Sequence, residues 1–88
     1  DGYIVDSMGW VYYQKGDYKK AVTFLERAIT MSKKDAVIFE HLGDTYVKLL
    51  QFKKALGAYR ESLKRTKEKD VIKRLHEKLN QTLQKVKD

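Results

Sequence analysis

The stretch Met8-Gly9-Trp10-Val11-Tyr12 is followed, 34 positions further along the chain, by Leu42-Gly43-Asp44-Thr45-Tyr46. Both stretches contain a large apolar residue, a glycine and a tyrosine in the same order. A Lys-Lys-Ala sequence then ends at Ala21 in the first copy and at Ala55 in the second. A repeat of this length is typical of a helix–turn–helix unit that stacks on copies of itself, because a single helix pair leaves an apolar face uncovered.

Length and composition allow one domain with a small core. The chain has 88 residues, of which 42% are hydrophobic and 35% are charged. It has no cysteine, which excludes disulfides, thiol nucleophiles and thiolate metal sites. No apolar run approaches the ~20 residues of a membrane span. The chain opens on Asp1 without methionine, so we expect a piece of a longer protein, and the compartment is unknown because targeting signals would lie upstream.

The net charge of +7 is concentrated towards the carboxyl terminus. Residues 1–52 carry seven basic and seven acidic residues, whereas residues 53–88 carry twelve and five. Such a basic end can attract nucleic acid, acidic protein or anionic lipid, but a solvated helical surface with long lysine side chains is the preferred interpretation. Nucleic acid is the less favoured partner, because Tyr59 is the one aromatic residue after Phe52 and single-strand binding uses several.

Hydrophobic periodicity predicts five helices, over residues 1–15, 18–31, 36–49, 52–65 and 70–86. Asp17, Asp35 and Asp70 are predicted N-caps, and Gly16 suits a left-handed C-cap. Leu50 stands where the first copy has Gly16, so this turn either avoids a positive φ or costs about 1 kcal/mol.

Two helices have apolar stripes that matter for the interpretation. In the first helix, Met8, Val11 and Tyr12 are predicted to be core positions. In the fifth helix, apolar residues spaced three and four apart form one stripe with charges elsewhere. These residues are Leu75, Leu79, Leu83 and Val86.

The skeleton resembles the tetratricopeptide repeat family, whose unit is a 34-residue antiparallel helix pair. Residues 2–35 match as repeat one and residues 36–69 as repeat two. The matching positions are Val5, Met8, Gly9, Tyr12, Gly16, Tyr18, Ala21, Leu25 and Ala28, then Phe39, Leu42, Gly43, Tyr46, Leu50, Phe52, Ala55, Tyr59 and Ser62. Val5 and Phe39 depart from the family's usual tryptophan, and Ser62 replaces a second alanine.

The resemblance implies an all-α fold, a right-handed α-solenoid of two antiparallel helix–turn–helix units within one domain spanning residues 1–88. Residues 70–88 lack the motif and are predicted to form a capping helix with one polar side. Residues 6–10 look like the closing repeats of long bacterial arrays. We therefore expect the carboxyl-terminal end of a longer repeat protein.

The resemblance also implies a scaffold or adaptor that binds a peptide or partner protein in the concave groove. The candidate groove residues are Tyr3, Asp6, Trp10, Tyr13, Glu40, Asp44, Lys48, Arg74 and Lys78. They run from aromatic and acidic to basic. Aromatic side chains suit recognition because they bury a large area, and arginine pairs with carboxylates.

Trp10 is the most distinctive of these residues. It either contacts a ligand in the groove or packs against Tyr13 or a preceding repeat. Some family members hold a terminal carboxylate with lysine and asparagine, but Asp6, Trp10 and Asp44 occupy those positions here. This argues against such a clamp and favours a basic or apolar peptide in the first half of the groove.

The sequence predicts no enzyme and no cofactor. His41 lies near Glu40 and Asp44 on one helix, where a weak metal site is conceivable, but a solvated helix face is the preferred interpretation. No glycine-rich phosphate loop is present. Self-association is an alternative function, through an open edge bordered by Tyr3, Ser7, Trp10 and Gln14. Anionic binding by residues 53–88 is another.

Overall fold

The computed structural model describes residues 1–88 as five α-helices without a strand. The helices are α1 Gly2–Gln14, α2 Tyr18–Met31, α3 Ala36–Lys48, α4 Phe52–Arg65 and α5 Lys69–Lys87. Helix α1 packs on α2, α3 packs on α4 and also on α2, and α5 packs on α4. The predicted all-α repeat architecture is confirmed. None of the five helices combines the length and apolar composition that crossing a bilayer requires.

Two of the three predicted N-caps are confirmed. The carboxylate of Asp17 accepts a hydrogen bond from the backbone of Lys20, and that of Asp35 accepts one from the backbone of Val37. The prediction for Asp70 is wrong, because α5 begins one residue earlier and Asp70 lies in its first turn. Its charge is still favourable there, since it faces the positive end of the helix dipole. The predicted ends of the first and third helices are each one residue too late.

The repeated glycines lie where the two helices of each pair approach most closely. A Cβ atom on Gly43 would come within 2.5 Å of a ring carbon of Tyr59 in α4. A Cβ atom on Gly9 would come within 2.8 Å of Cγ of Leu25 in α2. The glycine of the repeat is therefore a steric requirement of helix pairing, which explains why it recurs with the period of the pair.

The predicted core positions Met8 and Val11 are wrong, because both side chains are exposed. Helix α2 covers the side of α1 that carries Gly9. Met8 and Val11 lie on a different side of α1, which no other helix of the chain covers. Tyr12 is partly buried, where its ring stacks on Phe24 with centroids 5.3 Å apart.

We expect Gly43→Ala to lower the free energy of unfolding by about 2 kcal/mol, because the added methyl group overpacks the contact with Tyr59. The matched control is Gly57→Ala, in a helix interior where nothing lies within 4 Å of the added atom. That substitution should raise stability by ~0.5–1 kcal/mol through helix propensity. Urea denaturation measures the free energy of unfolding of both variants. Equal effects of the two substitutions would contradict the close contact between Gly43 and Tyr59.

Leu50 adopts a positive φ of 61°, as Gly16 does with 82° at the equivalent turn. We expect Leu50→Gly to raise the free energy of unfolding by roughly 0.5 kcal/mol. Relief of the left-handed conformation gains ~1–2 kcal/mol, and the greater flexibility of the unfolded chain offsets part of it. Leu50→Ala keeps the Cβ atom and should give no gain. Thermal denaturation measures both variants. If Leu50→Ala stabilised the chain as much as Leu50→Gly, the gain would come from removing the exposed leucine side chain and not from relieving the left-handed backbone.

Candidate binding face

Residues one repeat apart align on one side of α1, α3 and α5, where side chains of α3 contact those of α1 and those of α5. We call this surface the inner face. Its rows, each with a spacing of 34 residues, are Asp6, Glu40 and Arg74; Trp10, Asp44 and Lys78; Tyr13, Val47 and Gln81. The 34-residue period that determines the fold therefore also places equivalent positions of α1, α3 and α5 on the same face.

Glu40 of α3 is the centre of an ion-pair network with α5. Arg74 donates to it with two nitrogens, Nε to Oε2 at 2.7 Å and Nη2 to Oε1 at 2.8 Å. Lys78 Nζ donates to Glu40 Oε2 at 2.7 Å and to Asp44 Oδ2 at 3.0 Å. A two-nitrogen arginine–carboxylate pair is both strong and directional. The network thus fixes the position of α5 against α3.

The environment of Glu40 stabilises its ionised form. Burial alone would raise the pKa of Glu40, but the hydrogen bonds and charges of Arg74 and Lys78 outweigh it and lower the pKa to about 2. The hydrogen bond to Glu40 in turn raises the pKa of Arg74. Both groups are therefore charged across the neutral range, and the network is a permanent part of the face.

Asp44 links three helices. Its Oδ1 accepts a hydrogen bond of 2.6 Å from the hydroxyl of Tyr59 in α4, and its Oδ2 accepts the bond from Lys78 in α5. Burial of Tyr59, together with the carboxylate of Asp44, raises the pKa of the Tyr59 hydroxyl. The hydroxyl therefore stays protonated and keeps donating to Asp44.

The connection between α1 and α3 is aromatic. Trp10 stacks on Tyr13, with ring centroids 4.3 Å apart and planes 7° apart, and on His41, with 4.0 Å and 17°. Nδ1 of His41 lies 2.8 Å from Oδ1 of the buried Asp6. The structure thus gives Trp10 a packing role against Tyr13 and His41, while leaving the residue partly exposed.

The prediction that His41 lies on a solvated helix face is wrong, since its ring is half-buried between Trp10 and Asp6. The repeat gave no signal for this contact, because Ser7 occupies the equivalent position in the first copy and the pair spans 35 residues. No cluster of three or more side chains suited to metal binding is formed.

The predicted groove residues fall into two clusters with two residues outside them. Asp6, Trp10 and Tyr13 belong to the aromatic cluster with His41. The second cluster contains Glu40, Asp44, Arg74 and Lys78. Tyr3 and Lys48 are exposed and lie outside both. The expected progression from aromatic and acidic to basic is not one of free charges, because each of the three carboxylates is hydrogen-bonded to a side chain of the chain itself.

A pocket of about 140 Å³ lies on the inner face between α3 and α5. Its lining residues are Val47, Tyr59, Lys78, Gln81, Thr82 and Lys85. Val47 supplies an apolar surface, whereas the exposed Lys85 belongs to none of the ion pairs. A larger depression of about 740 Å³ at the α2–α3 turn is lined by consecutive residues 30–36 alone. The smaller pocket is the better candidate site, since three different helices surround it.

Comparison with known families gives a match to a model described as TPR repeat, over residues 9–49. The matched segment begins at the first repeat glycine and ends just after α3. It includes Trp10 and His41, and hence the aromatic connection between the two helix pairs.

We expect Glu40→Gln to lower the free energy of unfolding by about 2 kcal/mol at neutral pH, because two charged donors lose their anion. The folded pKa of Glu40 is depressed to about 2, below its unfolded value of ~4.3. Its contribution is therefore complete above the unfolded pKa and is lost as the pH falls from about 5 towards 2.

The measurement is the unfolding free energy of both proteins between pH 2 and pH 7. The difference between wild type and Glu40→Gln should shrink over the acidic range. Glu77→Gln, which removes an exposed carboxylate of the same helix as Arg74, is the control and should give a small difference throughout. A difference for Glu40→Gln that is independent of pH would contradict the assigned network.

Proposed function

The chain belongs to the tetratricopeptide repeat family, and we propose that it is a scaffold that binds an extended segment of a partner protein along its inner face. Repeats of this family generally mediate protein–protein interaction, on a fold that is typically non-catalytic. Stacked helix pairs create extended concave surfaces suited to this purpose. The family supports a protein partner, and the side chains of the inner face support a proposal for which residues of that partner they bind.

The pocket between α3 and α5 is the observation that carries the proposal. It joins an apolar wall, Val47, to the exposed ammonium group of Lys85. The neighbouring Lys78 is already held by Glu40 and Asp44. Lys85 is therefore the cation that remains for a ligand. This combination fits a small apolar side chain followed by a carboxylate.

The other half of the inner face has different chemistry. Trp10 and Tyr13 form a continuous stacked surface, and the nearby Asp6 is buried and bonded to His41. Such a surface accepts apolar side chains against its exposed edges, since the faces of the Trp10 ring are already covered by Tyr13 and His41. We therefore propose that the partner segment places an apolar residue here and its acidic residue at the pocket.

The ion-pair network supports this role by holding the face rigid before a ligand arrives. Arg74 and Lys78 are already bonded to Glu40, so the ligand does not have to order these long side chains. Binding loses roughly 0.5–1.5 kcal/mol for each flexible side chain that it immobilises. A face preorganised in this way binds more tightly than one whose charges are free.

We expect a peptide-library display selection against the chain to enrich sequences with an acidic residue beside a small apolar one. Lys85→Glu should weaken the selected peptides about tenfold or more, since it replaces attraction by repulsion at the pocket. Lys87→Glu is the matched control. It makes the same charge change in the same turn, but residues two apart point to different sides of a helix. Calorimetric titration at physiological salt measures both affinities.

Trp10→Ala tests the aromatic half of the face and should also weaken the selected peptides. Two results would overturn the proposal: no enrichment, or equal loss with Lys85→Glu and Lys87→Glu. The second result, with a steep dependence on salt, would instead indicate general attraction of anions by the basic end of the chain.

A further inference from the structure

The helices of the chain end at two opposite edges, and one of these edges carries the tight turns α1–α2 and α3–α4. The two turns close with equivalent backbone hydrogen bonds, from Asp17 to Tyr12 and from Gln51 to Tyr46. Helix α5 runs parallel to α3, because their ion-pair network joins residues in ascending order along both helices. The last turn of α5 therefore lies at the same edge as the two tight turns. We call this end of the molecule the turn edge, which comprises residues 15–20, 48–54 and 85–88.

The turn edge holds most of the positive charge of the chain. Its eight lysines outnumber its two carboxylates, Asp17 and Asp88, which gives a formal net charge of +6. The remaining residues carry eleven basic and ten acidic side chains and are nearly neutral together. Every lysine of the turn edge is exposed, and none of them belongs to an ion pair. The eight are Lys15, Lys19, Lys20, Lys48, Lys53, Lys54, Lys85 and Lys87.

The fold thus gathers a charge that the sequence shows only as a basic carboxyl-terminal segment. Four of the eight lysines precede residue 53 and are brought to the turn edge by the two tight turns. At the opposite edge, where α2 leads into α3 and α4 into α5, four lysines stand beside four carboxylates. They are Lys33, Lys34, Lys67 and Lys69, with Asp1, Asp35, Glu68 and Asp70. The positive excess is therefore a property of one edge of the molecule and not of α5.

An exposed leucine lies among these lysines. Leu50 is exposed by 74% and adopts a positive φ of 61°, at the turn where the first copy has Gly16. The left-handed backbone costs stability, and a side chain that is three quarters exposed recovers little of that cost by packing. A residue held at a cost to the fold indicates a contact outside the fold. Lys48 and Lys53 precede and follow it within three residues, so that contact is both apolar and anionic.

We propose that the turn edge docks on the surface of an anionic lipid bilayer, with Leu50 inserted among the headgroups and the lysines around it. An anionic bilayer attracts clusters of lysine through its surface potential, and its headgroup boundary accepts apolar side chains. Nucleic acid offers no such apolar layer beside its phosphates. A directional phosphate site would also favour arginine, whose planar group binds with two nitrogens, but the turn edge contains lysine alone.

Docking by the turn edge goes beyond the proposed function and does not compete with it. The inner face runs along the helices, whereas the turn edge lies at their ends, so a docked chain keeps the inner face open to a partner. Lys85 belongs both to the pocket and to the turn edge. The variants that test the docking therefore leave Lys85 unchanged, and loss of vesicle binding and loss of peptide binding are separate results.

The first test measures sedimentation of the chain with vesicles at about 0.15 M salt. Vesicles of phosphatidylcholine with about one third phosphatidylserine are compared with vesicles of phosphatidylcholine alone. Lys53→Gln with Lys54→Gln removes two adjacent charges from the turn edge. The matched control, Lys33→Gln with Lys34→Gln, removes two adjacent charges from the opposite edge.

The chain should bind only the vesicles that contain phosphatidylserine. The turn-edge pair should weaken this binding about tenfold or more, since each lysine at an anionic surface contributes roughly fivefold. The control pair should weaken it less than about twofold, because salt screens charges beyond ~8 Å. The two edges are separated by the length of α3, whose 13 residues span about 20 Å.

The second test asks whether Leu50 enters the bilayer. Because the chain has no cysteine, Leu50→Cys takes a single environment-sensitive fluorophore, whose emission should shift to the blue on phosphatidylserine vesicles. Val37→Cys is the matched control, since Val37 is also exposed, by 52%, but lies in the first turn of α3 at the opposite edge. Its label should keep its emission. Unlabelled Leu50→Ala keeps the left-handed backbone and should weaken vesicle binding about fivefold.

Four results would overturn the proposal. The chain could fail to bind phosphatidylserine vesicles, or the two lysine pairs could weaken binding equally, which would indicate general attraction by net charge. The label at position 50 could keep its emission on bound vesicles, which would exclude insertion. A single-stranded oligonucleotide could also bind more tightly than the vesicles and lose its binding with the turn-edge pair, in which case nucleic acid is the occupant.

Discussion

The ring of Tyr59 lies directly against the backbone of α3, because Gly43 has no side chain to hold it away. This contact determines where the hydroxyl of Tyr59 ends, and there it donates to Asp44. The second oxygen of Asp44 accepts a bond from Lys78, which also bonds Glu40. A steric requirement of helix pairing is thus connected, through the partly buried carboxylate of Asp44, to the position of α5 and to the pocket beside it.

Much of the fold could be predicted from the sequence because its determinants are local and repeated. Gly9 and Gly43 mark the closest approach within each helix pair, and Asp17 and Asp35 cap the helices that follow them. The apolar spacing of the fifth helix predicts its bounds to within one residue, although this helix lacks the repeat motif and its predicted N-cap is wrong.

The pairing of side chains could not be predicted to the same degree. The helical register predicts that Glu40 and Arg74 lie on the same face, but it does not predict the ion pair between them. The contact of His41 with Asp6 joins two positions that are not equivalent in the repeat. Periodicity identifies which residues share a surface, whereas bonding depends on how long side chains extend across it.

Helical periodicity also does not indicate whether an apolar side is covered. Met8 and Leu42 occupy the same position in two copies of the motif, yet the first is exposed and the second is buried. The difference lies in the neighbours, since α2 packs on α3 and nothing packs on the outer side of α1. A residue of a repeat is buried by the adjacent repeat, so its burial is a property of the stack rather than of its own sequence.

The same distinction applies to charge. The net charge of +7 is a property of the whole chain, but the inner face is largely neutralised by its own pairs. Arg74 and Lys78 are engaged with carboxylates, whereas Lys85 on the same side of α5 is not. Removing the basic excess elsewhere on α5 would alter long-range attraction, which salt screens strongly. In the proposed function, recognition at short range depends instead on Lys85, which belongs to none of the ion pairs and lies beside the apolar Val47.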